Sequence, residues 1–244
     1  MENKVEILGV NIDKLTIDEA SEKIYSFIEN GGRHYVFTPN SEIIMAAHRD
    51  GEFKKILNSA DILTADGIGV VYASKFLKNP IPERAAGFDT AMSLLKKMDS
   101  GKNKLYLFGA KPGVAERAAD KITKMHPGIV ISGCADGYFD EAKEKEIIAD
   151  INEKKPDVLF VCLGFPKQEK WIYNHRDDLN VKVMMGLGGS LNVIAGEAKR
   201  APKIFQKLNM EWFYRLCKEP WRIGRMMDLP KFAATVVLNG RKAK

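Results

Sequence analysis

Residues 158–163, VLFVCL, are apolar without a break and are framed by Pro156-Asp157 and Gly164. A half-exposed strand alternates apolar and polar residues, whereas an unbroken apolar run has to be covered on both sides. Six residues is a strand's length rather than a helix's, so the run predicts a strand buried on both faces. Further strands are expected at residues 5–10, 34–38, 62–64, 105–108, 129–132 and 181–185. Helical spacing separates them, including a Thr16/Glu19 capping box, a helix capped by Asp89, and helices over 114–125 and 141–154. Buried strands alternating with helices predict an α/β fold: a Rossmann-like, mostly parallel sheet with helices on both faces.

In such folds ligands sit where strands end and helices begin. Residues 61–69, DILTADGIG, form one such junction, with Asp66 in its turn. Asp66 reads equally as a general base facing a pocket or as the cap of the following helix. Thr38-Pro39-Asn40 closes a second strand, where capping is the plainer role. Gly109-Ala110-Lys111-Pro112-Gly113 and the turn 186–190 (GLGGS) are glycine-rich and precede helices, so their backbone N–H groups suit a phosphate or an ordinary tight turn. Neither carries the G-x-G-x-x-G or Walker spacing. Residues 163–171, LGFPKQEKW, bring Gln168 to the same edge, with donor and acceptor capacity matched to a sugar hydroxyl. The plainer alternative makes Gln168 and Glu169 first-turn helix residues. Arg84, in a polar loop, matters only beside an anion.

Several chemistries are disfavoured. The four histidines lack metal-ligand spacing, no D-x-D occurs to hold a divalent ion, and no G-x-S-x-G marks a hydrolase. Three widely spaced cysteines form no disulfide framework, which fits a reducing cytosol. The start shows no signal peptide, and the longest late apolar run, residues 232–238, is far short of a membrane span. Charge is uneven. From Lys199 onward twelve Lys/Arg face three acids, a surplus of nine, so residues 1–198 sum to −3 within a net +6. Arg215, Arg222 and Arg225 stand among Trp212, Phe213, Trp221, Met226 and Met227. That mixture predicts either a basic helix packed on its own core or one that lies at a membrane surface, aromatics among headgroups and arginines at phosphates. No nucleic-acid motif accompanies the charge, so no nucleic-acid partner is expected. The division expected is a catalytic core over 1–195 and a membrane-associating appendage over 196–244.

Thr38-Pro39-Asn40, Ala65-Asp66-Gly67, Gly87-Phe88-Asp89, Gly164-Phe165-Pro166-Lys167-Gln168-Glu169, Gly188-Gly189-Ser190 and Arg200-Ala201-Pro202, followed by the Glu211-to-Arg225 tail, occur in the order of the WecG/TagA/CpsF glycosyltransferases. Nearly the whole chain resembles that family, most closely its wall-teichoic-acid members. The resemblance implies metal-free, inverting transfer of N-acetylmannosamine from UDP-ManNAc to undecaprenyl-diphosphate-GlcNAc in β1,4 linkage, the first committed step of linkage-unit synthesis. No cofactor is implied.

By the same resemblance Asp66 is the base on the acceptor hydroxyl, Thr38 and Gln168 position sugars, and Arg84 assists. Asn40, Gly109, Ala110, Asp136, Tyr138, Gly164, Pro166, Gly188 and Asn192 belong to substrate binding, with Asn192 standing where many relatives carry an acid. Arg215, Arg222 and Arg225 gather at the diphosphate. The family also implies self-association in solution and a cytoplasmic enzyme peripheral on the inner membrane face. Alternatives are a relative using another UDP-hexosamine or uronic acid, a dehydrogenase or methyltransferase on a Rossmann-like sheet, and a non-catalytic nucleotide-binding membrane adaptor.

Overall fold

The computed structural model describes residues 3–101, 103–202, 204–205, 210–218, 224 and 227–242. Its centre is a six-stranded sheet in the order β4-β3-β8-β7-β5-β6, every pairing parallel: β3 (His34–Phe37), β4 (Ile62–Leu63), β5 (Lys104–Gly109), β6 (Val130–Ala135), β7 (Val158–Cys162) and β8 (Val183–Gly186).

The apolar run that frames the prediction is β7, in the middle of the sheet. Its residues divide by alternation: Leu159 and Val161 enter one core, Val158, Phe160 and Cys162 the other. β5 divides in the same way, Tyr106 and Phe108 against Leu105 and Leu107. Period-two side-chain geometry thus turns a continuous apolar string into two hydrophobic layers.

One layer is closed by α1 (Ile17–Asn30), α5 (Gly87–Met98), α6 (Val114–Met125) and α9 (Ser190–Ala195). The other is closed by α2 (Ser41–Arg49), α3 (Gly51–Asn58), α4 (Ile68–Phe76), α7 (Glu141–Lys154) and α8 (Lys167–His175). The capping box at α1 forms as expected: Thr16 Oγ1 accepts from Glu19 N, and Glu19 Oε2 accepts from Thr16 N at 2.8 Å. The helices at 114–125 and 141–154 have the predicted limits.

Residues 5–10 do not form one strand. Leu8 and Gly9 take φ of 53° and 85°, and the chain folds into the antiparallel hairpin β1 (Lys4–Ile7) and β2 (Val10–Asp13). Buried Asp13 of β2 accepts from Leu63 N at 2.9 Å, so the hairpin closes the open edge of β4. β6 also extends beyond the expected 129–132, through Ala135.

The basic C-terminal part contains α10 (Glu211–Lys218) and α11 (Asp228–Lys242). Pro230 lies in the first turn of α11, where its missing N–H costs no hydrogen bond. Phe232 and Val236 are buried in the core layer that α2 and α4 close, and Asp228 pairs with Arg49 of α2.

Candidate active site

At the carboxyl edge of the sheet the turns are tied together by backbone bonds. Thr64 N donates to Phe37 O and Asp66 N to Pro39 O, each at 3.1 Å, so the loops after β3 and β4 form one unit. Gly67 is the N-cap of α4, with φ 144° and no side-chain cap bond. The capping role for Asp66 is therefore wrong. Its carboxylate accepts from Gly87 N at 3.3 Å through Oδ2 and places Oδ1 3.9 Å from Arg84 Nη1. The side chain keeps 36% of its surface exposed.

Gly87 joins two predicted site residues. A Cβ there would stand 2.6 Å from Thr38 Oγ1, so only glycine lets α5 start against Thr38 while donating its N–H to Asp66. Asn40 does what the plainer reading expects: its Oδ1 accepts from Ile43 N at 3.0 Å and caps α2. Asp89 does not cap α5, which begins at Gly87 after Ala86. It instead receives both terminal nitrogens of Arg200 at 2.7 Å each, and Arg84 Nη2 at 3.5 Å.

Gln168 is nearly fully buried and committed at both ends. Its Oε1 accepts from Gly188 N at 2.8 Å, and its Nε2 donates to Glu169 Oε1 at 2.9 Å. It thus fixes the Gly186–Ser190 turn against the Gly164–Glu169 turn, two segments the sequence places on one edge. Glu169 is buried, and its Oε2 has no hydrogen-bond partner. Burial pushes its carboxyl up to about 7, against the opposing bond from Gln168.

The first glycine turn also has a packing explanation. Gly109 has φ 125°, and a Cβ would lie 2.4 Å from Cys162 O of neighbouring β7. Ala110 N donates to that same carbonyl at 3.1 Å, so this N–H is spent within the sheet. Gly164 and Gly188, with φ 78° and 53°, instead have nothing within 4 Å of where a Cβ would stand.

An open cleft of about 500 Å³ lies above β5–β7, lined by Gly137, Tyr138, Phe139, Asp140, Lys143 and Lys167. Asp136 is held by its own loop: Tyr138 N donates at 2.8 Å and Lys143 Nζ at 2.9 Å. Partial burial works to raise its carboxyl, yet these bonds hold it below the usual range. The exposed Tyr138 ring and Lys167, whose Nζ stands 3.9 Å from the Phe139 ring centroid, face this cleft. In the sheet order its near side, at Lys167 after β7, is three strands from β4 and the Asp66 junction, and its far side, after β6, is five, or about 14 to 24 Å at the usual strand spacing. The edge therefore offers two separated stations: a carboxylate beside an arginine over β3–β4, and a cleft over β5–β7 lined by two lysines, two aromatic rings and Asp140.

Arg222 and Arg225 lie outside the described residues, as does the side chain of Arg215. Among the described residues no helix is long and apolar enough to cross a membrane, and no three His, Cys, Asp or Glu converge as a metal site would need. Residues that the sequence reading does not bring to these stations include Arg200, Glu211, Lys143 and Lys167, together with the paired role of Asp89. Arg200 and Asp89 stand in the Arg-Ala-Pro and Gly-Phe-Asp motifs, and that was the only signal available.

With this geometry in place, comparison with known proteins adds identity. The family model described as "Glycosyl transferase WecG/TagA/CpsF family" matches residues 5–244. A Bacillus subtilis (strain 168) protein named N-acetylglucosaminyldiphosphoundecaprenol N-acetyl-beta-D-mannosaminyltransferase is 38% identical, covering 93% of this chain and 91% of its own. A Staphylococcus aureus (strain MRSA252) protein of the same name is 40% identical, covering 99% and 95%. A full-length family match, relatives at this identity and the convergence of six separated motifs on one sheet edge agree: the chain belongs to the WecG/TagA/CpsF glycosyltransferase family.

Proposed function

We propose that this chain transfers N-acetylmannosamine from UDP-ManNAc to the GlcNAc of undecaprenyl-diphosphate-GlcNAc, with inversion, at the wall-teichoic-acid linkage unit. The relatives' shared name supplies the acceptor and the transferred sugar. The observation that carries the mechanism is the carboxylate of Asp66, excused from capping and partly exposed at the carboxyl edge. Single-displacement transfer needs one base to take the proton of the attacking hydroxyl, a contribution of about 10²–10⁴ in rate. Asp66 is that base. Arg84 holds positive charge beside it, Thr38 borders the same junction, and Gln168 acts by fixing the turn that ends at Gly188.

The departing UDP needs stabilising charge. With no D-x-D in the chain, we assign that charge to arginines and lysines. The nucleotide end fits the cleft with Tyr138, Lys143 and Lys167, and the sugar end reaches toward Asp66. Arg215, Arg222 and Arg225 take the acceptor's diphosphate. The basic surplus after residue 198 and the exposed Trp212 and Phe213 support a peripheral position on the inner membrane face. UDP release from UDP-ManNAc, strictly dependent on a lipid-diphosphate-GlcNAc acceptor, tests this reading. Release with another donor and not with UDP-ManNAc would move the protein to a different member of its family.

A further inference from the structure

Glu211 is the first residue of α10, 127 positions from Arg84, yet its Oε1 stands 3.0 Å from Arg84 Nη2 and 3.4 Å from Arg200 Nη2. Asp89 Oδ2 accepts from the same two Nη2 atoms, at 3.5 Å from Arg84 and 2.7 Å from Arg200. Two acids and two arginines thus alternate around one closed ring. It joins the loop before α5, α5 itself, the connection after α9, and α10. Glu211 is the most enclosed member, its side chain 13% exposed against 19% for Arg84, 24% for Asp89 and 25% for Arg200. Ion pairs at such depth are screened less than surface pairs, and removing Glu211 would leave Arg84 with only the longer pairs to Asp89 and Asp66.

The ring has a directional effect on Arg84. A guanidinium is a planar fork, so fixing one terminal nitrogen fixes the aim of the other. Glu211 and Asp89 draw Nη2 to one side, and Nη1 is thereby presented to Asp66 at 3.9 Å, just outside hydrogen-bond reach. Arg200 cannot substitute for Arg84, because both of its terminal nitrogens are committed to Asp89. Its guanidinium is also 5.0 Å from the Phe88 ring centroid.

We propose that Glu211 is a positioning residue for the transfer: it sets the orientation of Arg84 beside Asp66. The proposal rests on the reading of Asp66 as the base. It adds that docking of α10 is transmitted to that base through one carboxylate and one guanidinium.

The test is a double-mutant cycle on turnover, with UDP-ManNAc and lipid-diphosphate-GlcNAc presented in vesicles. Glu211→Gln is expected to lower kcat about tenfold with the donor KM within about twofold, and Glu211→Asp to recover part of the loss. In an Arg84→Ala background, Glu211→Gln is expected to cost nothing further. Wild-type kcat in Glu211→Gln, or the same loss in both backgrounds, would overturn the proposal, since the carboxylate would then not act through Arg84. If Glu211→Gln does not fold, as thermal unfolding will report, the cycle is run with Glu211→Asp and judged by the same two outcomes. Asp66→Asn separates the two readings. Turnover kept in Asp66→Asn means the base assignment fails. Turnover lost there but kept in Glu211→Gln means only the positioning role fails.

Discussion

Asp66 Oδ1 and Arg84 Nη1 face each other across 3.9 Å, while Arg84 Nη2 is held 3.0 Å from Glu211. The distance leaves the carboxylate near positive charge without tying it into a direct hydrogen bond with the arginine. For the proposed base, this places positive charge beside the carboxylate that would take the proton.

Glu169 should make stability fall as pH rises. Burial lifts its carboxyl from 4.5 to about 7 in the folded protein, so the folded state binds the proton more tightly than the unfolded chain. The contribution is fully present below about 4.5 and is lost as pH rises through about 7. The loss is about 3 kcal/mol at most. Glu169→Gln keeps the shape and removes the titration. Denaturant unfolding between pH 5 and 8 should show a flatter profile for the variant, and an unchanged slope would assign the pH dependence to other groups.

Gly109→Ala should destabilise the fold rather than affect substrate binding alone. The new Cβ would collide with Cys162 O at 2.4 Å on a backbone with φ 125°. A cost of about 2–4 kcal/mol is expected from the combined clash and strain. Gly188→Ala has open space at its Cβ and only the positive φ to pay for, so it should cost about 1 kcal/mol. Equal loss in both variants would contradict the packing account of Gly109.

Turnover should be undiminished by EDTA. The sequence offers no D-x-D, and the proposed charge on the leaving diphosphate comes from side chains. Abolished activity, restored by a divalent ion, would require a metal site that the proposed mechanism lacks.

Phe232→Ala should loosen α11 from the body. Phe232 is 2% exposed in the layer closed by α2 and α4, and its truncation is expected to cost about 3–5 kcal/mol of packing. Hydrogen exchange of α11 amides should rise while the central strands stay protected. Removing residues beyond 196 should leave a folded core with little activity, since Glu211 and the tail arginines go with it.

The sheet was legible because its physics is local. An unbroken apolar run such as 158–163 can only be a doubly covered strand, and Glu141 to Lys154 is bounded by its own cap and Pro156. The hairpin was missed because its turn is Leu8-Gly9, without the Asn-Gly or Asp-Gly that marks most two-residue turns. Spacing alone leaves Asp66 open between base and cap and makes Asp89 a cap, because both precede or open helices and carry capping chemistry. Neither caps its helix: the N-caps are Gly67 and Ala86, and Asp89 meets Arg200. Contacts such as Glu211 with Arg84, spanning 127 residues, leave no trace in spacing.

The most direct measurement is turnover of Asp66→Asn with UDP-ManNAc and lipid-diphosphate-GlcNAc, taken beside its thermal unfolding. The expected result is kcat/KM lower by about 10²–10⁴, with stability within about 1 kcal/mol of the parent, because Gly67 and not Asp66 is the N-cap of α4. Full activity with reduced stability would contradict it and return Asp66 to a structural role.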